Sequence, residues 1–286
     1  MNYRKIGACG SNLKNLKRFG TDGKPHSSYR EENTMKYMVS YCSERGKSKQ
    51  ACEDSALIGH LVINDEAGTA ELQMPCWICL CDGVGGYAGG QEASLFVARE
   101  LSDCSAPESA ADVKGLFIEI NNRLLEQAQK TLDHKLMATT ATALFLSEKA
   151  VYLAHVGDTR LYAKDGLSAR QLTVDQTAYQ WFVDHHLRIF ASERCREAIY
   201  GGMGGGNGKR LMPLVVEQLP EGVPCRTMLL TSDGVHDHLP QTEIEEILNR
   251  DVSIAEKAKM LCSAALEHGS EDDRTAIIIC AEDDPA

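Results

Sequence analysis

The segment Cys76-Trp-Ile-Cys-Leu-Cys-Asp-Gly-Val-Gly-Gly-Tyr-Ala-Gly-Gly90 constrains this chain most. Its apolar run, Trp77 to Cys81, stops abruptly at Asp82 and gives way to glycines. A run of this length bounded by glycine reads as a buried strand. A carboxylate at the exit of such a strand lies at a sheet edge, where it can meet water, a metal or a substrate. The glycines beyond it let backbone approach a ligand closely, because no Cβ intervenes. A tight turn into a helix starting near Gly90 explains the same residues, so this segment alone leaves both readings open.

The rest of the chain narrows the choice. Its 286 residues allow one large domain or two small ones, and no linker divides residues 36–286. Residues 1–35 lack apolar periodicity and are expected as an N-terminal extension before a single domain over 36–286. A formal net charge of −11 disfavours nucleic acid as a partner. No run of eighteen apolar residues predicts a membrane span, and the first residues lack the apolar core of a secretory signal. The eleven cysteines are expected as free thiols in a reducing, cytoplasmic compartment. Cys79 and Cys81 alternate to one face of the opening strand and Cys76 to the other. With no second CxxC, they read as small buried apolar residues, not zinc ligands.

Strands are expected at Lys36–Tyr41, Ala56–Ile63, Trp77–Cys81, Thr140–Leu146, Ala150–His155, Thr159–Ala163, Leu167–Leu172, Pro213–Gln218, Thr227–Thr231 and Thr275–Cys280. Helices are predicted over Gln91–Leu101 and Glu108–Leu132; the second carries Val113, Leu116, Phe117, Ile120 and Leu124 on one face. Two more are placed by capping boxes, Thr242 with Glu245 and Ser253 with Glu256. Residues 176–200 read as irregularly helical, and 201–208 as a flexible glycine-dense connection. His185 and His186 read as surface or half-buried helix residues. Many strands, paired helices and hairpin turns imply a layered α+β fold.

Acidic residues recur beside these strands: Glu53-Asp54, Asp82, Asp158, Asp233 and Asp272-Asp273. Any one of them explains itself as a turn former. Five such groups gathered at one sheet edge would repel unless cations lay between them. Divalent ions that take oxygen ligands remove that cost, so the joint pattern points to a metal site.

The motifs, in order, resemble the PPM family (protein phosphatase 2C-like) of metal-dependent serine/threonine phosphatases in its bacterial form. They are Gly46-Lys-Ser-Lys-Gln-Ala-Cys-Glu-Asp54, Asp82-Gly-Val-Gly-Gly86, Ala138-Thr-Thr-Ala-Thr-Ala143, His155-Val-Gly-Asp-Thr-Arg160, Leu172-Thr-Val-Asp-Gln-Thr177, Leu230-Thr-Ser-Asp-Gly-Val235 and Asp272-Asp-Arg-Thr275. The resemblance spans about residues 37–281 and implies a four-layer α-β-β-α sandwich, two mostly antiparallel sheets flanked by helix pairs.

It further implies two Mn²⁺ or Mg²⁺ ions and a third, weaker one. Asp82 would bridge the pair and the Gly83 carbonyl would bind one of them. Asp233 and Asp272 would complete the other ion's ligands, and Glu53 would lie on the Gly83 side. Asp158 would help hold the third ion. Asp54 would orient or deprotonate the attacking water, and Lys49 stands where the family's phosphate-binding Arg lies. Hydrolysis would proceed by direct attack of cation-activated water on phosphorus, with no covalent phosphoenzyme.

Four departures stand out: Lys49 for Arg, Cys52 for Asn, Asp273 for Asn and Gln176 for His. Val84 occupies the place of a histidine found in animal relatives. The implied substrates are phosphoproteins of a cognate Ser/Thr kinase, and a monomer is expected. A regulatory domain with weak or no turnover and a phosphatase for small phosphoesters are the rival readings.

Overall fold

In a computed structural model of the chain, residues 36–84, 89–130, 136–205, 212–220 and 226–281 are described. The expected extension over 1–35 lies outside them.

Fourteen strands occur among the described residues. They are β1 (Lys36–Glu44), β2 (Asp54–Ile58), β3 (Leu61–Ile63), β4 (Ala67–Gln73), β5 (Cys76–Asp82), β6 (Ala138–Thr139), β7 (Ala141–Leu146), β8 (Val151–Val156), β9 (Arg160–Asp165), β10 (Ser168–Gln171), β11 (Met203–Gly204), β12 (Val215–Gln218), β13 (Thr227–Thr231) and β14 (Arg274–Ala281). The helices are α1 (Gly90–Ser102), α2 (Ala110–Lys130), α3 (Ala178–Asp184), α4 (Asp233–His236), α5 (Gln241–Leu248) and α6 (Ile254–Glu267). None is long and apolar enough to cross a membrane.

Two six-stranded antiparallel sheets result, ordered β10-β9-β13-β14-β1-β4 and β12-β8-β7-β5-β2-β3. Alternation along the strands sorts their side chains into separate apolar layers. Between the sheets lie Val39, Ile58, Ile78, Leu80, Leu144, Leu230, Ile277 and Ile279. The outer face of the second sheet buries Trp77, Cys79, Cys81 and Phe145 against Val97 of α1 and Phe117 and Ile120 of α2. The outer face of the first buries Tyr162, Leu229 and Ile278 against Ile244 and Ile247 of α5 and Leu261 of α6. Each fully buried large apolar side chain stabilises by ~1.5–3 kcal/mol. The expected four layers are present, and Cys79 and Cys81 lie in a different apolar layer from Cys76, as alternation required.

Four expectations need correction. The strand expected over Ala56–Ile63 is a hairpin, β2 and β3, that reverses at Gly59 with φ +65°. The sequence pattern predicts no strand at the polar edge strand β4, because its residues alternate between exposed and half-buried without an apolar signature. Ser253 and Glu256 form a full capping box, but Thr242 caps nothing. Helix α5 starts after Pro240, and Glu245 instead accepts from the Ala169 amide (3.0 Å) and the Gln241 side chain (3.1 Å). Finally, the glycine-rich connection is not wholly irregular, since Met203 and Gly204 pair with Thr139 and Ala138. Its residues 206–208 lie outside the described set.

The strand registers also decide where the acidic residues go. Asp54 opens β2 directly opposite Asp82 at the end of β5. In the other sheet, Thr231 at the end of β13 faces Arg160 at the start of β9 and Ala276 near the start of β14. Asp158, Asp233 and Asp272 flank those strand ends. All five acidic motifs therefore reach one end of the sandwich.

Candidate active site

Asp54 is the point where the two sheets meet. Its carboxylate is fully buried, and Oδ2 accepts from Ser232 Oγ (2.7 Å) and Thr275 Oγ1 (2.6 Å), both on the opposite sheet. Its Oδ1 is buried with no hydrogen-bond partner. An unpartnered buried carboxylate oxygen is costly and rare. Burial raises the Asp54 carboxyl to about 7, against the opposing pull of the Thr275 hydrogen bond; Asp273 adds to the rise and Ser232 opposes it.

Asp82 is fixed through its backbone. Its amide donates to Thr140 Oγ1 (3.0 Å), and its carbonyl accepts from the Thr140 amide (2.8 Å) and Thr139 Oγ1 (2.9 Å). The Thr139-Thr140 pair thus locks the strand exit that carries the carboxylate. The neighbouring Asp82 carboxyl partly offsets the rise of Asp233. Burial pushes Asp82 well above the usual carboxylate range, with Asp54, Asp233, Asp158 and Asp272 adding to it. Asp233 rises to about 7, through burial first and Asp272 next. Asp158 also rises well above its ordinary value, through burial and then Asp233, Asp175 and Asp237. Four acidic groups are therefore raised together by burial and by one another.

Gly83 follows from steric need as well as from any ligand role. A Cβ there would run into the Gly90 carbonyl at the start of α1 and lie 2.9 Å from the Glu53 carbonyl oxygen. The Gly83 amide donates to that same Glu53 oxygen at 3.1 Å. The Glu53 carbonyl also accepts from Ser94 Oγ of α1 at 2.6 Å. A cavity of about 250 Å³, lined in part by Lys49, Glu53, Gly90, Gln91 and Glu92, opens beside this junction.

Lys49 is half-buried and lies among acidic side chains. Its ammonium contacts Glu53 (2.9 Å), Asp273 (3.0 Å) and Asp272. Burial alone would lower its pKa, but hydrogen bonds to Asp272, Glu53 and Asp273 outweigh that and hold it above its usual range. Asp273 is buried and also accepts from the amides of Gly46 (2.7 Å) and Glu53 (2.7 Å).

Several of these positions were visible only as motif members. The roles of Ser232 and Thr275 in clasping Asp54 depend on pairing across sheets, which no local spacing reveals. Arg160 likewise grips Asp175 through Nε (2.9 Å) and Nη2 (2.5 Å), tying the fourth motif to the fifth. Gln176 accepts from the Gly157 amide (3.0 Å) and donates to the Pro213 carbonyl (2.8 Å), so it braces the turn before Asp158. His155 bonds Thr142 Oγ1 (2.9 Å) and the Val174 carbonyl (3.0 Å), and buried His236 bonds Thr231 Oγ1 (2.8 Å). Both are structural. Exposed His185 stacks on Trp181 at 4.1 Å.

The donor chemistry at this end is all oxygen and strongly acidic, which suits divalent cations of the Mg²⁺ and Mn²⁺ kind. The unpartnered Asp54 Oδ1 and the mutual rise of Asp82 and Asp233 are what a site built for positive charge shows. Among the described residues no three His, Cys, Asp or Glu side chains already close into a cage. The residues present fit the cations.

Residues 50–268 match the family model for protein phosphatase 2C. Over 219 residues the chain is 30% identical to the serine/threonine phosphatase Stp of Listeria welshimeri, covering 71% of this chain and 83% of that protein. The crystal structure of the serine/threonine phosphatase Stp1 from Staphylococcus aureus superposes with a TM-score of 0.71 at 26% identity, covering 86% of this chain and 95% of that one. A catalytic domain of the phosphatase PstP, crystallised with two manganese ions, gives 0.67 at 27% identity over 87% of this chain and all (100%) of that one. With the acidic motifs gathered at one end of the same sandwich, the chain belongs to the protein phosphatase 2C family of serine/threonine protein phosphatases.

Proposed function

We propose that the domain over 36–286 hydrolyses phosphoserine and phosphothreonine in proteins with two divalent cations, Mn²⁺ or Mg²⁺, held at the Asp82 end of the sandwich. The observation that carries this reading is Asp54. It presents a buried, unpartnered oxygen directly opposite Asp82, while its other oxygen is pinned by Ser232 and Thr275.

When bound, the cations acidify a water and neutralise charge on the phosphoryl oxygens. Asp82, Asp233 and Asp272 would hold the cations through their carboxylates, the Gly83 carbonyl would add a neutral oxygen, and Glu53 would lie beside it. Asp54 Oδ1 orients the attacking water and takes a proton from it as its oxygen bonds to phosphorus. The ester P–O bond breaks, and the leaving serine or threonine oxygen is protonated by water, since Val84 offers no acid. Asp158, raised by Asp233, Asp175 and Asp237, forms the basis of a third, weaker cation site.

The nine cysteines among the described residues are all free, which supports a reducing cytoplasmic setting. A Ser/Thr kinase in the same compartment would supply the substrates, and nothing in the reading requires more than a monomer.

The test compares a phosphothreonine peptide with p-nitrophenyl phosphate, each with Mn²⁺ and with EDTA. The expected result is Mn²⁺-dependent turnover of both. Turnover of the small ester alone would replace the protein substrate with a small phosphoester. No metal-dependent turnover of either, by folded protein, would leave a non-catalytic domain.

A further inference from the structure

The resemblance places a phosphate-binding role at position 49 and a neutral Asn at position 273. In this chain both positions differ, and the two side chains touch. Asp273 is 2% exposed, and its Oδ1 accepts from the Gly46 amide at 2.7 Å. Its Oδ2 accepts from the Glu53 amide at 2.7 Å and from Lys49 Nζ at 3.0 Å. Lys49 is the cation on this buried anion, and it lies in the same turn as the two amides.

We propose that Lys49 is a positioning residue whose ammonium neutralises Asp273, not a phosphate-binding one. The pair staples the turn that carries Glu53 and Asp54 onto the segment that carries Asp272.

Three observations support this assignment. The Lys49 ammonium is already occupied by three carboxylates: Glu53, Asp272 and Asp273. An ammonium has three hydrogens to donate, and in the metal-free structure these carboxylates take them; once cations draw off Glu53 and Asp272, Asp273 still holds Lys49. Asp273 is also not among the proposed cation ligands, so its need for a counter-charge does not depend on metal loading. Lastly, the chain around Gly46 closes tightly on the Asp272 segment: a Cβ on Gly46 would run into the Glu271 carbonyl. A buried carboxylate stripped of its only cation destabilises strongly, whereas removing both partners is far milder.

The assignment rests on the phosphatase reading only for the word phosphate, and its test is built so that the two can fail separately. Lys49→Met, Asp273→Asn, the double variant and Lys49→Arg are made in the full chain. Urea unfolding is measured in EDTA, where no turnover is involved. Lys49→Met is expected to lower the folded-to-unfolded ratio by about tenfold or more. In the Lys49→Met background, adding Asp273→Asn should recover about half of that loss or better, the signature of a coupled pair. Lys49→Arg, which keeps the charge, should fold and stay close to the parent.

With Mn²⁺ restored, inhibition of each variant by inorganic phosphate is measured, giving a binding constant separate from kcat. For Lys49→Met that constant should stay within about threefold of the parent, because phosphate never used the ammonium, while kcat falls as Glu53 and Asp272 shift. The proposal is overturned if Lys49→Met weakens phosphate inhibition by about tenfold or more while its urea transition is unchanged and Asp273→Asn rescues nothing. Either result leaves the phosphatase reading itself intact. Absence of turnover in the parent protein would sink that reading while the unfolding cycle still decided the pair.

Discussion

Asp82→Asn is expected to reduce phosphopeptide turnover by about a thousandfold or more at saturating Mn²⁺, with the fold left intact. The side chain keeps its size, and the backbone around it is held by Thr139 and Thr140 through bonds that Asn leaves untouched. Only the charge changes. Asp82 pairs with Asp54 across the β2–β5 ladder and has Asp54, Asp233, Asp158 and Asp272 as its charged neighbours, so it lies at the centre of the acidic group. Removing its charge takes away an anionic oxygen that two cations would share. A loss of several kcal/mol in transition-state stabilisation corresponds to the stated factor. The control is urea unfolding in EDTA, where Asp82→Asn should equal or exceed the parent because a strained acidic neighbour is gone. A variant that keeps its rate within about threefold would remove Asp82 from the chemistry.

The second large effect is a pH dependence that reverses when metal is added. Asp54 and Asp233 titrate at about 7 in the folded, metal-free protein, against 3.8 for an ordinary aspartate, chiefly through burial. Asp82 and Asp158 are raised as well. Between these limits the folded state holds protons that the unfolded chain has released. Stability contributed by these groups is therefore present in full below about pH 4 and is lost as pH rises through about 7. Metal-free protein should need clearly less urea to unfold at pH 8 than at pH 5. Cations bind the deprotonated carboxylates, so saturating Mn²⁺ should turn the trend round and make pH 8 the more stable condition. Metal-free protein that gains stability from pH 5 to pH 8 would contradict the buried acidic cluster.

Much of this was legible from local pattern. The apolar run ending at Asp82 and the α2 stripe through Phe117 and Ile120 follow from alternation and helical periodicity, and both are seen. The acidic motifs were each readable as turns, and their common destination required the registers Asp54 with Asp82 and Thr231 with Arg160. Those pairings join residues far apart in the chain. Strand β4 escaped notice because an exposed edge strand needs little apolar surface. The Thr242 box failed because Pro240 already sets the start of α5 and Glu245 finds better partners in Ala169 and Gln241. Lys49 is the most instructive case. Position in a motif suggests phosphate, while the contact with Asp273 that supports the other role joins residues 224 apart in the chain.

The most direct test is an anomalous difference map from crystals grown with Mn²⁺, recorded at the manganese absorption edge. Two strong peaks should flank the Asp82 carboxylate, one also touching Asp233 and Asp272 and the other the Gly83 carbonyl. Peaks bound elsewhere, or none beside Asp82 at saturating Mn²⁺, would contradict the metal-centred account.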